Sequence, residues 1–167
     1  MNKYLLIITL LFSLSIMAQE EENTSSASDE DMGKAMEMMM NPKEVTMEVN
    51  EDLYSKADKN TYVNAKQTAG IMAMQMPATI EKMRKDMDKG GQEGYEVLDK
   101  GSFNENGIEV LFIYYKVQKA GQNMMMDMYC KKYDDKSTIT ITGFYQVGEG
   151  ATYKEAIKKA AVSAIIN

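Results

Sequence analysis

Residues 104–117 read Asn-Glu-Asn-Gly-Ile-Glu-Val-Leu-Phe-Ile-Tyr-Tyr-Lys-Val, and this stretch decides the fold. Asn106-Gly107 between two apolar runs is the strongest short hairpin signal, because both residues tolerate the positive φ of a tight turn. Ile108 to Val117 is apolar on both faces, as a central strand buried on both sides would be. Tyr95 to Phe103 is a strand that pairs back onto it. Downstream, Lys119-Ala120-Gly121-Gln122 turns into a strand over Asn123 to Tyr133, and Asp134-Asp135-Lys136 turns into Ser137 to Val147. The β-branched run Thr138 to Thr142 supports that last strand. Four consecutive strands with short turns make an antiparallel meander.

Helices flank it on the chain. Pro77 fits the first turn of a helix over about 78–89, with Ile80, Met83 and Met87 inward and Gly90-Gly91 as its stop. After Gly148-Glu149-Gly150, Thr152 and Glu155 have the spacing of a capping box. The closing helix then runs to about Ile165, with Ala156, Ile157, Ala160, Ala161, Ala164 and Ile165 inward. Residues 43–76 carry weaker signals: short strands at 45–49 and 61–65, and over 69–76, with Met72, Met74 and Met76 on one face, either a strand, which the pattern favours, or the start of the following helix. The expected class is α+β, an antiparallel sheet flanked by helices in a single domain. The length of 167 residues leaves no room for a second full domain.

The N-terminus reads as an export signal. Met1-Asn2-Lys3 precedes an apolar stretch, Tyr4 to Met17, that is shorter than the ~20 residues needed to span a bilayer, and a small residue, Ala18, comes before a polar break. Residues 1–18 are therefore expected to be cleaved. Absence of a Cys near the cut argues against a lipid anchor, so the mature chain is expected to be periplasmic or extracellular. Residues 19–31 hold six acids and no base and read as a disordered acidic leader. The net charge of −6 thus belongs almost wholly to that leader, since residues 32–167 carry 19 acids against 18 bases. The net charge, with no excess of Lys and Arg in either part, argues against a phosphate-neutralising nucleic-acid binder. Met32, Ala35, Met36, Met39 and Met40 then form the stripe of a short amphipathic helix over 32–40, which ends at Pro42 and is too short to persist unpacked.

The order helix, four-stranded meander, C-terminal helix over about residues 77–166 resembles the PsbP/Mog1-like domains of exported bacterial proteins. The residues that carry the resemblance are Gly94 to Leu98, Gly107 before a Tyr-containing strand, Gly121-Gln122, and Tyr153 to Ser163. The chain departs from that pattern where Ala164, not an aromatic, follows Ser163. The resemblance implies an antiparallel sheet flanked by helices and a non-catalytic assembly or binding role, with an envelope protein as partner. It implies no catalytic residue set.

The chemistry open to the chain is narrow. No His is present, which removes imidazole bases and ligands, and one Cys permits neither an internal disulfide nor a thiolate cluster. Cys130 reads as a buried thiol. The acids sit mainly in turns or on helix faces, and none is read as a pocket acid interrupting an apolar run, so a carboxylate-pair hydrolase is not expected. No cofactor motif is present, and the chain is not expected to be an enzyme. The 17 Met are the one unusual donor set. Period-two alternation puts Met124, Met126, Met128 and Cys130 on one strand face. Such soft sulfur donors suit Cu(I) in a periplasmic buffer, while the same residues equally serve as flexible core filler. The first expectation is checked by N-terminal sequencing of protein recovered outside the cytoplasm, which should begin at Gln19; a start at Met1 would show that residues 1–18 are retained.

Overall fold

The computed structural model describes residues 33, 36–38, 40–89, 93–119 and 122–166. The export signal, the acidic leader, residues 32, 34, 35 and 39 of the expected 32–40 helix, and the Gly90-Gly91 and Gly121 turns lie outside these residues; the described residues 33, 36–38 and 40 are helical. In chain order the strands are β1 (Val45–Thr46), β2 (Ser55–Asp58), β3 (Thr61–Val63), β4 (Gly70–Met76), β5 (Tyr95–Glu105), β6 (Ile108–Lys119), β7 (Gln122–Lys132), β8 (Thr138–Gln146) and β9 (Ile165–Ile166). Helix α1 (Ile80–Asp88) lies between β4 and β5, and α2 (Gly150–Ser163) between β8 and β9.

Strands β2 to β8 form one antiparallel sheet in the order β2-β3-β4-β8-β7-β6-β5, and β1 pairs with β9 in a separate antiparallel ribbon. The meander is as expected. Its first turn has positive φ at Asn106 (53°) and Gly107 (81°), the two-residue geometry that twisted strands favour. The chain before the meander then adds β4 to the free side of β8. Consequently the strand buried on both faces is β8, whose residues from Thr138 to Tyr145 are all buried, and not the 108–117 strand as expected. Thr138, Thr140 and Thr142, whose β-branching marks the strand, are all enclosed.

The pairing register sorts side chains onto two faces. One face carries Ile71, Ala73, Ile139, Ile141, Tyr129 and Val110 and is packed by α2 through Ile157, Ala160 and Ala161. The opposite face carries Met72, Met74, Met76, Phe144, Met124, Met126, Met128, Cys130, Leu111 and Ile113. Helix α1 lies on this second face, tied by Arg84 to Glu109 at 2.7 Å and by the Lys100 ammonium donating to the Met87 carbonyl at 3.0 Å.

Both helix starts differ from expectation. Thr79 caps α1, its hydroxyl accepting from the Lys82 N–H at 3.2 Å, so the helix begins after Pro77 and Ala78 rather than at them. Its end is Lys89 in a right-handed conformation. Helix α2 starts two residues before Thr152, since Gly148 at φ 104° turns the chain early; Thr152 lies inside the helix and no side chain caps it. That helix stops at Ser163, and Ile165, expected inward, is 52% exposed and pairs with Thr46. The Ser163 hydroxyl donates to the Lys159 carbonyl at 2.8 Å and accepts from the Glu48 N–H at 2.8 Å, stitching the β1 segment to the helix end.

A Cβ on Gly143 would run into three side-chain carbons of Ile157. Gly143→Ala is therefore expected to lower unfolding free energy by about 1–3 kcal/mol, the cost of overpacking a dense core. Chemical denaturation measures it, and Ile157→Val in the same chain should recover part of the loss.

Candidate functional site

The four sequence-selected sulfurs lie on the face that α1 shares. Cys130 is buried; Met124, Met126 and Met128 are part-exposed. A nine-residue helix is about 13 Å long, whereas β7, with eleven residues, runs about 37 Å, so α1 covers only part of that strand. The same spacing separates Met124 from Cys130 by about 20 Å, too far for both to hold one ion.

The register adds partners that reading β7 alone did not. Thr142 of β8 lies between Met72 and Met128, and Thr140 between Met74 and Cys130. Two sulfur-bearing strands thus bank a strip of small threonines, with the Phe144 ring folded over Gly70 at one end. Met72, Met74, Met76, Met126 and Met128 all keep partial exposure. The Thr138 and Thr140 hydroxyls have no nitrogen or oxygen partner and lie against the Cys130 thiol. Burial pushes that thiol up from its ordinary value, against the pull of those two hydroxyls, so Cys130 is not an activated nucleophile. Among the described residues no group of three or more Cys, Asp or Glu could hold a metal.

The other face holds a residue that the sequence reading passed over. Asp127 interrupts the run Met124-Met125-Met126-Asp127-Met128-Tyr129-Cys130, contrary to the expectation that no acid does so, and it is fully buried beneath α2. Its carboxylate accepts long hydrogen bonds of 3.3 Å from the Tyr145 hydroxyl. Desolvation raises its pKa to about 6, opposed by the Lys154 ammonium and by Tyr145. The surrounding tyrosines form a layer: the Tyr114 and Tyr129 hydroxyls are 3.2 Å apart, Lys154 sits 3.9 Å above the Tyr114 ring, and Tyr153 stacks on Tyr145. Burial holds Tyr54, Tyr129 and Tyr145 well above the ordinary phenol range. The groups nearest the carboxylate are thus the Tyr145 hydroxyl and the Lys154 ammonium.

A third feature is a groove of about 900 Å³ beside α2, lined by Glu48, Glu105, Glu155, Lys158, Lys159 and Ser163 among others. Its charges are largely internal, Lys159 being paired with Glu48 at 2.9 Å and Lys158 lying over the Phe103 ring.

Asp127 has a stability consequence with a definite sign. Its native pKa lies above the unfolded value of about 3.9, so its protonated form stabilises the fold fully below pH ~4 and that stabilisation is lost as pH rises through 6. The loss is on the order of 2–3 kcal/mol. Asp127→Asn is expected to be more stable than the parent at pH 7.5 and to flatten the stability profile between pH 4 and 6, as read by urea unfolding at each pH.

No family model matches the chain, and no curated protein matches it by sequence. Among solved structures, LpqN of Mycobacterium tuberculosis, involved in cell envelope biogenesis, is similar at a TM-score of 0.54 and 12% identity, over 74% of this chain and 83% of that one. A protein of unknown function from Pseudomonas aeruginosa, PA94, aligns at 0.49 and 10% identity, over 75% and 84%. Cyanobacterial PsbP from Synechocystis sp. PCC 6803 aligns at 0.46 and 11%, over 74% and 82%. Among the described residues no helix is long and apolar enough to cross a membrane. At these identities the likeness is one of architecture alone: the helix, four-stranded meander and C-terminal helix expected over about residues 77–166 are present, in a fold shared with LpqN.

Proposed function

We propose that the chain is an exported, non-enzymatic binding or assembly module whose working surface is the sulfur-bearing face of its sheet. The observation that carries this reading is the unequal cover of the two faces. Helix α2, with fourteen residues, closes one face over a core of fully buried side chains, while the nine residues of α1 leave Met72, Met74, Met126 and Met128 part-exposed on the other. Thioether side chains are flexible and polarisable, so such a surface moulds itself to what it binds. The fold shared with LpqN, a protein involved in cell envelope biogenesis, supports an envelope role. A chain without His, whose one thiol is buried and held protonated, supports binding over catalysis.

Methionine oxidation footprinting tests this directly, because a covered thioether is slow to become a sulfoxide. Met72, Met126 and Met128 are expected to be oxidised more slowly by dilute peroxide in the intact envelope than in the purified protein, while Met40, which is 76% exposed, reacts alike in both. Equal oxidation of the face in both settings, or hydrolytic turnover by the purified protein that Asp127→Asn abolishes, overturns the reading.

A further inference from the structure

We propose that the strip between β4 and β7 binds one soft monovalent cation, Cu(I) or its analogue Ag(I), through the thioethers of Met72, Met74 and Met128. The inference rests on the sulfur face being the working surface, and it names the ligand which that face takes. Register is its foundation. Met72 and Met128 are both partners of Thr142, on opposite sides of β8, and Met74 occupies the same position beside Thr140. Strands about 4.8 Å apart put the Met72 and Met128 Cα atoms roughly 9.6 Å apart, and Met74 stands about 7 Å along β4 from Met72. An extended methionine carries its sulfur about 4 Å from its Cα, from ordinary bond lengths. Met74 and Met128 are then about 12 Å apart, so nearly extended side chains leaning inward over small threonines can reach one ion together; a bulky residue at 140 or 142 would fill that space.

The burial pattern agrees. Thr140 and Thr142 are 4% and 8% exposed, so the flanking side chains close over them, yet Met72, Met74 and Met128 each keep some contact with solvent. Those two facts place the three thioethers between the enclosed threonines and solvent. Cys130 forms the fourth corner beside Thr140 but is fully buried, and its thiol lies against threonine hydroxyls, so it bounds the site rather than supplying a ligand. The chemistry selects the ion. Thioethers are soft, neutral and not protonated near neutral pH, so they favour Cu(I) and Ag(I) over hard cations. Asp127 points to the opposite face, and the acid that the register puts on this one, Glu109, is engaged by Arg84.

Anaerobic titration of the full chain with Cu(I) against a chromogenic Cu(I) chelator tests the proposal. One equivalent should be withdrawn from the chelator. Met72→Leu/Met74→Leu/Met128→Leu, which keeps apolar volume, should weaken binding at least tenfold, whereas Met40→Leu/Met47→Leu should leave it unchanged. Retention of parental affinity by the triple variant, failure of the parent chain to compete, or Zn(II) binding as tight as Cu(I) overturns the assignment. Should the triple variant not fold, the copper X-ray absorption edge of the loaded parent decides: sulfur neighbours alone support the site, nitrogen or oxygen neighbours overturn it. Protection of the face in the envelope without Cu(I) binding would leave the module reading standing and end the metal inference alone.

Discussion

At Gly143 the side-chain carbons of Ile157 occupy the space that a Cβ would take, and α2 lies correspondingly close to β8. Ala160, Ala161 and Ala164, all fully buried, extend that close approach along the helix. Several longer contacts depend on it. The Lys131 ammonium reaches the Val162 carbonyl at 2.7 Å, Tyr153 stacks on Tyr145 and packs against Tyr54, and Ser163 reaches the Glu48 N–H. The chain then leaves α2 in position for β9 to pair with β1. Lifting the helix by the width of one methyl group would loosen all of these together, because dense interiors transmit rather than absorb a volume change.

Under that helix β7 buries two opposite charges. Asp127 lies towards the N-terminal half of α2, near Lys154, and Lys131 donates to a carbonyl at its C-terminal end. Each sign matches the end of the helix dipole that favours it. Neither makes an ion pair with the other, since four residues of strand hold them about 13 Å apart. Burial still costs both: it raises the carboxylate and lowers the ammonium from their ordinary values. The domain thus carries an acid at its centre that is destabilising when charged, and its methionine face lies on the other side of the same strand.

The meander was legible because its information is local. Asn106-Gly107 sets a hairpin by its own backbone preference, and period-two patterns mark the strands on either side. The place of β4 was not legible, since nothing within residues 70–76 says which distant strand they will join. That one long-range pairing moved the centre of the sheet from β6 to β8 and enclosed Thr138, Thr140 and Thr142. Asp127 was missed because alternation gives the parity of a strand and not which parity a helix will cover. The Thr152–Glu155 spacing misled for a related reason: Gly148 started α2 before that pair could act as a cap.

By itself the sequence determined the α+β class, the four-stranded order, the approximate helix positions and the absence of imidazole chemistry, all of which follow from residue identity and near-neighbour geometry. It also put Met124, Met126, Met128 and Cys130 on a common face. Only the tertiary structure decided that this face meets the methionines of β4 across a threonine strip, that its methionines stay part-exposed beside a short helix, and that the opposite face closes over a buried carboxylate. Those outcomes depend on strand pairings between residues more than sixty positions apart and on the reach of two helices, neither of which local preferences encode.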